Sequence, residues 1–407
     1  MADAIASMEG NGLASAVASQ RAAAGDAATA IVSGASAEAL VRYETFCATA
    51  LHAPAQDPLW IRHWVAAVKP DAVFATLSVN QVPVLALALE VIRSGPFRMA
   101  RFMGGRHANG NFAAVDPAWL GQVDCSAIQA LFGAIARARP DIDVIALQRL
   151  LQDRDGIANP LMRLAGFPSP NLSLAVELGG GFEDVLRRAS GKKRKKHRSH
   201  ARKYEAAGGF RRIEAGTAEE VRELLDAFFT MKEERFRRMG IANVFGDPEV
   251  RVFFQALFAD ALRQESPSFV LHGLEVGGKL RAVTGSSLCG RRLICEFGAF
   301  AEDDLAQASP GEFLFFDNIE EACARGFDVY DFSVGDESYK RQWCDREIQH
   351  RDVLAPLTPK GRILAFVLHR NARLKAYVKN SPAIWSLTKA LRRKAAGKPA
   401  VPTADPD

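Results

Sequence analysis

No run of about 18 apolar residues occurs in this 407-residue chain, so no segment is expected to cross a bilayer as a helix. The N-terminus has no charged stretch followed by an apolar one, and no secretory signal is expected. The six cysteines (Cys47, Cys125, Cys289, Cys295, Cys323 and Cys344) form no CxxC pair. That spacing argues against a zinc site and suits reduced thiols in the cytoplasm, so no metal is expected. Neither a Ser-His-Asp nor a Cys-His arrangement stands out, so an acyl-enzyme is not expected. Residues 1 to about 36 hold few large apolar side chains among Ala, Gly and Ser, and read as a disordered leader.

Acid is missing from two stretches. Ten Lys/Arg lie between Asp184 and Glu205, and eleven between Asp352 and Asp405, with no Asp or Glu in either. Those 21 removed from 52 leave 31 Lys/Arg against 47 acids, a net of −16 for the rest of a chain whose formal charge is +5. An acidic body thus carries two basic segments. The composition, 48% hydrophobic and 24% charged, is that of a globular protein long enough for two domains.

The patterning is α/β with mixed sheets. Helices are expected around 36–48 and from Pro58, where Trp60, Trp64 and Val68 recur every fourth residue on one apolar face. Strands are expected over 72–79, 85–92 and 97–103. A polar glycine-rich loop follows at 104–112, then a helix at 126–138 and a buried strand at 143–147. The second half opens with an alternating strand over 172–178 and a very basic helix over 182–206. Thr217 and Glu220 have capping-box spacing before a long helix that Gly240 ends. After a helix at 253–263, a hairpin turning at Gly277-Gly278 and a strand over 293–300 lead to a loop, a helix at 312–325 and a strand at 328–332. Each half therefore runs three antiparallel strands, loop, helix, strand. This predicts two similar domains, 37–170 and 171–355, and a basic amphipathic helical tail at 356–407. In that tail Ile363, Phe366, Val367, Leu374, Tyr377 and Val378 fall at helical spacing beside Arg370, Arg373, Lys375 and Lys379, with Ile384, Trp385, Leu387 and Leu391 beyond Pro382. Such a helix can lie on an anionic membrane face or pack on the acidic body.

The stretch Asp331-Phe-Ser-Val-Gly-Asp-Glu-Ser-Tyr-Lys340 runs from a strand into a turn rich in ionisable groups. It resembles the signature of the BioF2-like acetyltransferase domain, the CelD/BcsL family, which lies in the GNAT superfamily near the FemAB-like tandem-GNAT proteins. Cys295-Glu-Phe-Gly-Ala-Phe300, Ser309-Pro-Gly311 and the basic 192–203 helix fit the same family. The resemblance implies two tandem GNAT-like domains and acyl transfer from a thioester, usually acetyl-CoA, to an amine or hydroxyl acceptor, often in cell-surface polysaccharide synthesis. FemAB relatives instead take amino acids from charged tRNA. GNAT enzymes usually cradle the CoA pyrophosphate with Gln/Arg-x-x-Gly-x-Gly/Ala. Here Leu305-Ala-Gln-Ala-Ser-Pro-Gly311 keeps Pro310-Gly311 and lacks the paired glycines, although a helix start still presents free N–H groups.

Direct transfer needs a base, oxyanion donors and an acid for the leaving thiolate. Glu296 or Asp331 can be the base, or either can be a structural carboxylate. Glu337 either joins them or anchors Tyr339 or Lys340. Tyr339 is an acid or a buried core tyrosine. Lys340 holds a phosphate or carboxylate, or is a solvated turn lysine. Ser309, Pro310 and Gly311, with Gly335, are the expected donor contacts. Arg235, sharing a face with Arg238, and Trp343 are the expected substrate contacts; their alternatives are solvent exposure and core packing. The Lys192–Arg198 run can guide phosphate, bind an anionic surface or bind tRNA, but it lacks the interleaved aromatics of single-strand binders.

Overall fold

The computed structural model describes residues 28–170, 172–189 and 191–380. Two mixed sheets carry the chain. The first runs β1 (Ala28–Ser33), β2 (Ala72–Val79), β3 (Val82–Ser94), β4 (Phe97–Phe102), β5 (Val144–Leu150), then β13 (Arg351–Pro356) and the short Phe167–Pro168 strand. The second runs β7 (Phe210–Glu214), β8 (Phe269–Val276), β9 (Lys279–Cys289), β10 (Arg292–Phe300), β11 (Val329–Val334), β6 (Ser173–Glu177) and β12 (Arg346–Ile348). Neighbours are antiparallel except at one equivalent place in each sheet. Met99–Arg101 pairs parallel with Val144–Ala146, and Arg292–Ile294 with Val329–Asp331. The crossovers are α3 (Cys125–Ala138) and α8 (Pro310–Ala324). The repeated order of strands, helix and strand expected from the sequence is thus present in both halves.

Three expectations are corrected. Part of the expected leader is a strand: β1 pairs along its whole length with β2. Residues 1–27 lie outside the described part of the chain. The boundary expected at 355 is crossed, because β13 pairs with β5 and completes the first sheet from the far end of the sequence. The single basic helix is two, α4 (Phe182–Ala189) and α5 (Lys193–Ala206). Gly191 lies between them, and glycine costs a helix interior about 1 kcal/mol relative to alanine.

Local signals explain the remaining helices. Ser36 caps α1 (Ala37–Cys47) through the Ala39 N–H, and Asp57 caps Pro58-led α2 (Pro58–Val68) through the Leu59 N–H. Thr217 and Glu220 close both bonds of a capping box on α6 (Ala218–Met239), and Gly240, at φ 68°, ends it in the left-handed conformation. Between the halves lies one aromatic core. Trp60 and Trp64 of α2 each meet the Phe253 ring of α7 (Pro248–Ala261) edge-on at 4.9 Å. His107 of the 104–112 loop packs among Trp64, Phe245 and Phe254. Burial drives its imidazole pKa down to about 4, so it stays neutral there. Among the described residues no helix is long and apolar enough to cross a membrane.

Candidate active site

The pairing of β9 with β10 slips between Gly285/Phe297 and Ser286/Cys295, which leaves Glu296 as the extra residue of a β-bulge. A bulge re-aims the side chain it carries and bends its strand. Parallel pairing with β11 ends after Ile294, so β10 and β11 diverge where Glu296 stands. The equivalent β3–β4 ladder of the first half keeps continuous register from Leu89/Phe102 to Ser94/Phe97. The bulge therefore has no counterpart in the equivalent ladder of the first half.

Glu296 is held from both halves of the protein. Ser287 Oγ, fully buried on β9, donates to Oε1 at 2.6 Å. Asn109, from the 104–112 loop of the first half, donates through Nδ2 to Oε2 at 2.8 Å and to the Glu296 carbonyl at 2.9 Å. That loop is fixed in turn by Arg149, whose guanidinium donates to the Arg106 and Ala108 carbonyls and whose N–H donates to Asp352 of β13. Burial pushes the Glu296 pKa up to about 7, against the two hydrogen bonds, and the nearby Asp331 carboxylate adds to the rise. A carboxylate poised near neutrality suits a general base. Asn109→Ala removes a bond that favours the ionised form, so the acidic limb of a pH–rate profile is expected to move above about 7, and single-turnover rates across pH will measure it.

Asp331 is buried on β11. Its Oδ1 accepts from the Ser333 N–H at 2.7 Å, and Arg292 lies 3.3 Å from Oδ2. Ser333 is left-handed, at φ 56°, so Asp331 holds the strand exit. Burial raises its pKa although Arg292 opposes the shift. After the turn, in the short helix α9 (Ser338–Arg341), Lys340 is buried and pairs with exposed Glu337 at 2.9 Å, while its Nζ donates to the Val334 carbonyl at 3.3 Å. Gly335, at φ 142°, lies beneath that pair: a Cβ there would fall 2.5 Å from Glu337 Oε2 and 2.7 Å from Lys340 Nζ. Gly335 thus makes room for an ion pair. Tyr339 stacks on Phe315 with centroids 5.6 Å apart, and burial, then the Glu337 charge, raise its phenol pKa. Trp343 is 3% exposed, with the Lys193 ammonium 4.0 Å above its ring, so it serves the core and has no open face for a sugar or adenine.

Ser309, Pro310 and Gly311 form the start of α8. Ser309 is left-handed and its side chain makes no cap hydrogen bond, which leaves first-turn N–H groups without a side-chain cap. Gly311 lies against Phe300, where a Cβ would come within 3.1 Å of the ring. Arg235 lies over Phe300, its guanidinium carbon 5.0 Å from the centroid, and so borders the same helix start. Arg238 instead pairs with Glu302 and Glu234. Helix α5 docks alongside: Lys193 and Lys196 bind Glu312 in the first turn of α8, and His197 stacks between Phe313 and Phe316. Lys193, Lys196 and His197 of the basic run are therefore engaged in packing, while Lys195, Arg198, Arg202 and Lys203 remain exposed.

Four contributors were missed by sequence reasoning: Asn109, Arg149, Ser287 and Lys232. Lys232 of α6 lies 5.6–5.9 Å from the Phe228, Phe236 and Phe245 rings. Burial, then Arg235, drive its pKa down to about 8, and the charges of Glu337 and Lys340 also reach it. A separate cluster, Glu214, His272 and Glu321, brings possible ligand atoms within 4.8 Å of one another. Arg212 and Arg325 bind those same carboxylates, so guanidinium already balances their charge.

Residues 191–341, which include α5, the bulge and the Asp331–Lys340 turn, match the model of a family described as an acetyltransferase (GNAT) domain. No curated protein matches the sequence. Among solved structures the chain is similar to FemX, at 9% identity over 83% of this chain and 99% of that one, with a TM-score of 0.54. It is also similar to the C-terminal domain of a putative lysylphosphatidylglycerol synthetase from Agrobacterium fabrum, at 12% identity over 81% and 95%, with a TM-score of 0.49. A tandem GNAT protein from the clavulanic acid biosynthesis pathway aligns at 11% identity over 81% and 99%, with a TM-score of 0.44. At such identity the FemX likeness shows a shared fold and nothing finer.

Proposed function

We propose that this chain transfers an acyl group from an acyl-CoA, acetyl-CoA or a longer thioester, directly to an amine or hydroxyl of a small or glycan acceptor, in cell-surface polysaccharide synthesis on the cytoplasmic side. The observation that carries the reading is Glu296: a bulged carboxylate where two strands open, hydrogen-bonded from both halves, with a pKa near 7. Glu296 takes the proton of the acceptor as its nitrogen or oxygen bonds to the thioester carbon. The tetrahedral intermediate collapses, the C–S bond breaks, and the thiolate leaves. Tyr339, kept protonated by its raised pKa, hydrogen-bonds that thiolate. Asp331 and Arg292 are positioning residues for the strand exit. Buried Cys295, its thiol pushed up to about 12, is no nucleophile, in keeping with direct transfer.

The uncapped start of α8, with Arg235 beside it, receives the donor pyrophosphate. Lys232 and Lys340 supply further positive charge toward an anionic substrate group. A cytoplasmic setting fits six unpaired thiols. Differential scanning with acetyl-CoA, longer acyl-CoAs and nucleotide controls tests the donor. A thioester at 100 times its Kd is expected to stabilise the fold by about 2.7 kcal/mol. Gly311→Trp, which must displace Phe300 and the guanidinium on it, is expected to abolish that shift without unfolding the protein. No shift with any thioester would overturn the assignment of the donor.

The second reading takes the donor as an aminoacyl-tRNA. It is favoured by the exposed cations of α5 (Lys195, Arg198, Arg202 and Lys203) beside the α8 start, and by the missing paired glycines. Salt-dependent tRNA binding, with no thioester shift, would select it.

A further inference from the structure

Helix α10 (Pro359–Asn380) has two faces of opposite use. One is seated on the first sheet. Leu364, 5% exposed, packs with Met99, Val144 and Ala146, and Ala365 and Leu368 join them. Gly361 passes so close that a Cβ would lie 1.8 Å from the Asp143 carbonyl oxygen, while Thr358 and Lys360 bind the Asp143 carboxylate at 2.9 and 3.2 Å. His369 stacks on Phe167 at 4.5 Å. The helix is thereby fixed in rotation.

The opposite face is apolar and uncovered by the described residues. Ile363 is 62% exposed, Phe366 65%, Val367 44% and Leu374 61%. At 100° per residue these four fall within one stripe, with Arg370 inside it and Arg362 and Arg373 along one flank. The Arg370 guanidinium lies 5.9 Å from the Phe366 centroid, its stem along the apolar surface. No Asp or Glu occurs on the helix. The side chains of residues 375–380 and everything beyond 380, including Ile384, Trp385, Leu387 and Leu391, lie outside the described part.

From this arrangement we infer that the outer face of α10 docks on the surface of an anionic lipid bilayer. Charge decides among occupants. A second copy would set the same arginines against each other. The chain beyond residue 380 carries five Lys/Arg and no acid before Asp405, so folding it back would gather like charges. A nucleic acid would satisfy the arginines and leave the apolar stripe in water. A bilayer with acidic headgroups meets both: the stripe enters the interface and the guanidinium groups stay among phosphates. The inference is independent of the reaction assigned above, because donor binding is read separately.

The test is flotation of the full chain with vesicles of phosphatidylglycerol and phosphatidylcholine, and with phosphatidylcholine alone. Binding is expected to the first only, and to weaken by roughly fivefold for each of Arg362, Arg370 and Arg373 replaced by glutamine. Ile363→Glu with Phe366→Glu is expected to reduce binding at least tenfold, with the melting midpoint unchanged because both side chains already face outward. Absence of flotation at low salt, equal flotation by the double variant, or a dimer in light scattering that this variant dissolves would each overturn the inference.

Discussion

Glu296→Gln is expected to lower kcat/KM by roughly 10²–10⁴-fold while making the protein more stable at alkaline pH. Both effects come from the same burial. The Glu296 pKa is about 7 in the fold against 4.5 for a free side chain. A carboxyl whose folded pKa is raised binds its proton more tightly in the native state than in the unfolded one. Below pH 4.5 both states are protonated and the group contributes nothing to the difference. As pH rises toward 7 the unfolded chain ionises freely while the native site resists, so stability falls. Above pH 7 the ionised carboxylate costs the fold about 3 kcal/mol, the free-energy equivalent of the shift. Glutamine keeps the shape, accepts from Asn109 and donates to Ser287, yet never ionises. Its stability advantage is expected at pH 8 and absent at pH 4, measured by denaturant midpoints. In the wild type the rate should climb through about pH 7 as the base ionises. A variant with wild-type activity would remove Glu296 from the reaction; an inactive variant without the pH-dependent stability gain would mean the carboxylate is less buried than its contacts imply.

How far the sequence anticipates this site depends on the distance over which each feature is specified. The strands of both sheets are written locally, in alternating or continuous apolar runs, and so are the caps at Asp57, Thr217 and Gly240. Their shared order made the two-sheet architecture legible. The Asp331–Lys340 turn is local too, but its internal economy is not. Gly335 was expected to contact a donor, and it lies instead beneath the Glu337–Lys340 pair, which no spacing rule discloses. Trp343 has the composition of a stacking residue, yet Lys193, 150 positions earlier, covers its face. The bulge at Glu296 is a matter of register between β9 and β10, set by cross-strand pairing rather than by the alternation of either strand. Asn109 and Glu296 are 187 residues apart, and β13 reaches β5 across some 200. Such long closures follow from the packing of the two halves and leave no periodic trace.

That packing makes Trp60 the residue through which fold and chemistry are most tightly joined. Its side chain is 1% exposed and meets Phe253 at 4.9 Å, Phe269 at 6.0 Å and Phe254 at 6.3 Å, all from the other half of the chain. The loop carrying Asn109 starts on the same indole, since a Cβ on Gly104 would be 2.8 Å from Trp60 Cζ2. Trp60→Ala is expected to cost about 3–5 kcal/mol, the usual loss for emptying a large aromatic site, read from the denaturant midpoint. The cavity should also loosen the 104–112 loop and admit water to Glu296. Two opposing effects on the Glu296 pKa then compete: losing the Asn109 hydrogen bond raises it, and rehydration lowers it. Burial is the larger of the two influences, so rehydration should win, and the acidic limb of the rate profile should move below about 7. Asn109→Ala, which deletes the bond but leaves the core intact, moves the same limb the other way. Opposite displacements from two substitutions that both weaken one contact would separate the core's contribution from that of the hydrogen bond. Parallel displacements would mean that Trp60 acts on Glu296 only through Asn109.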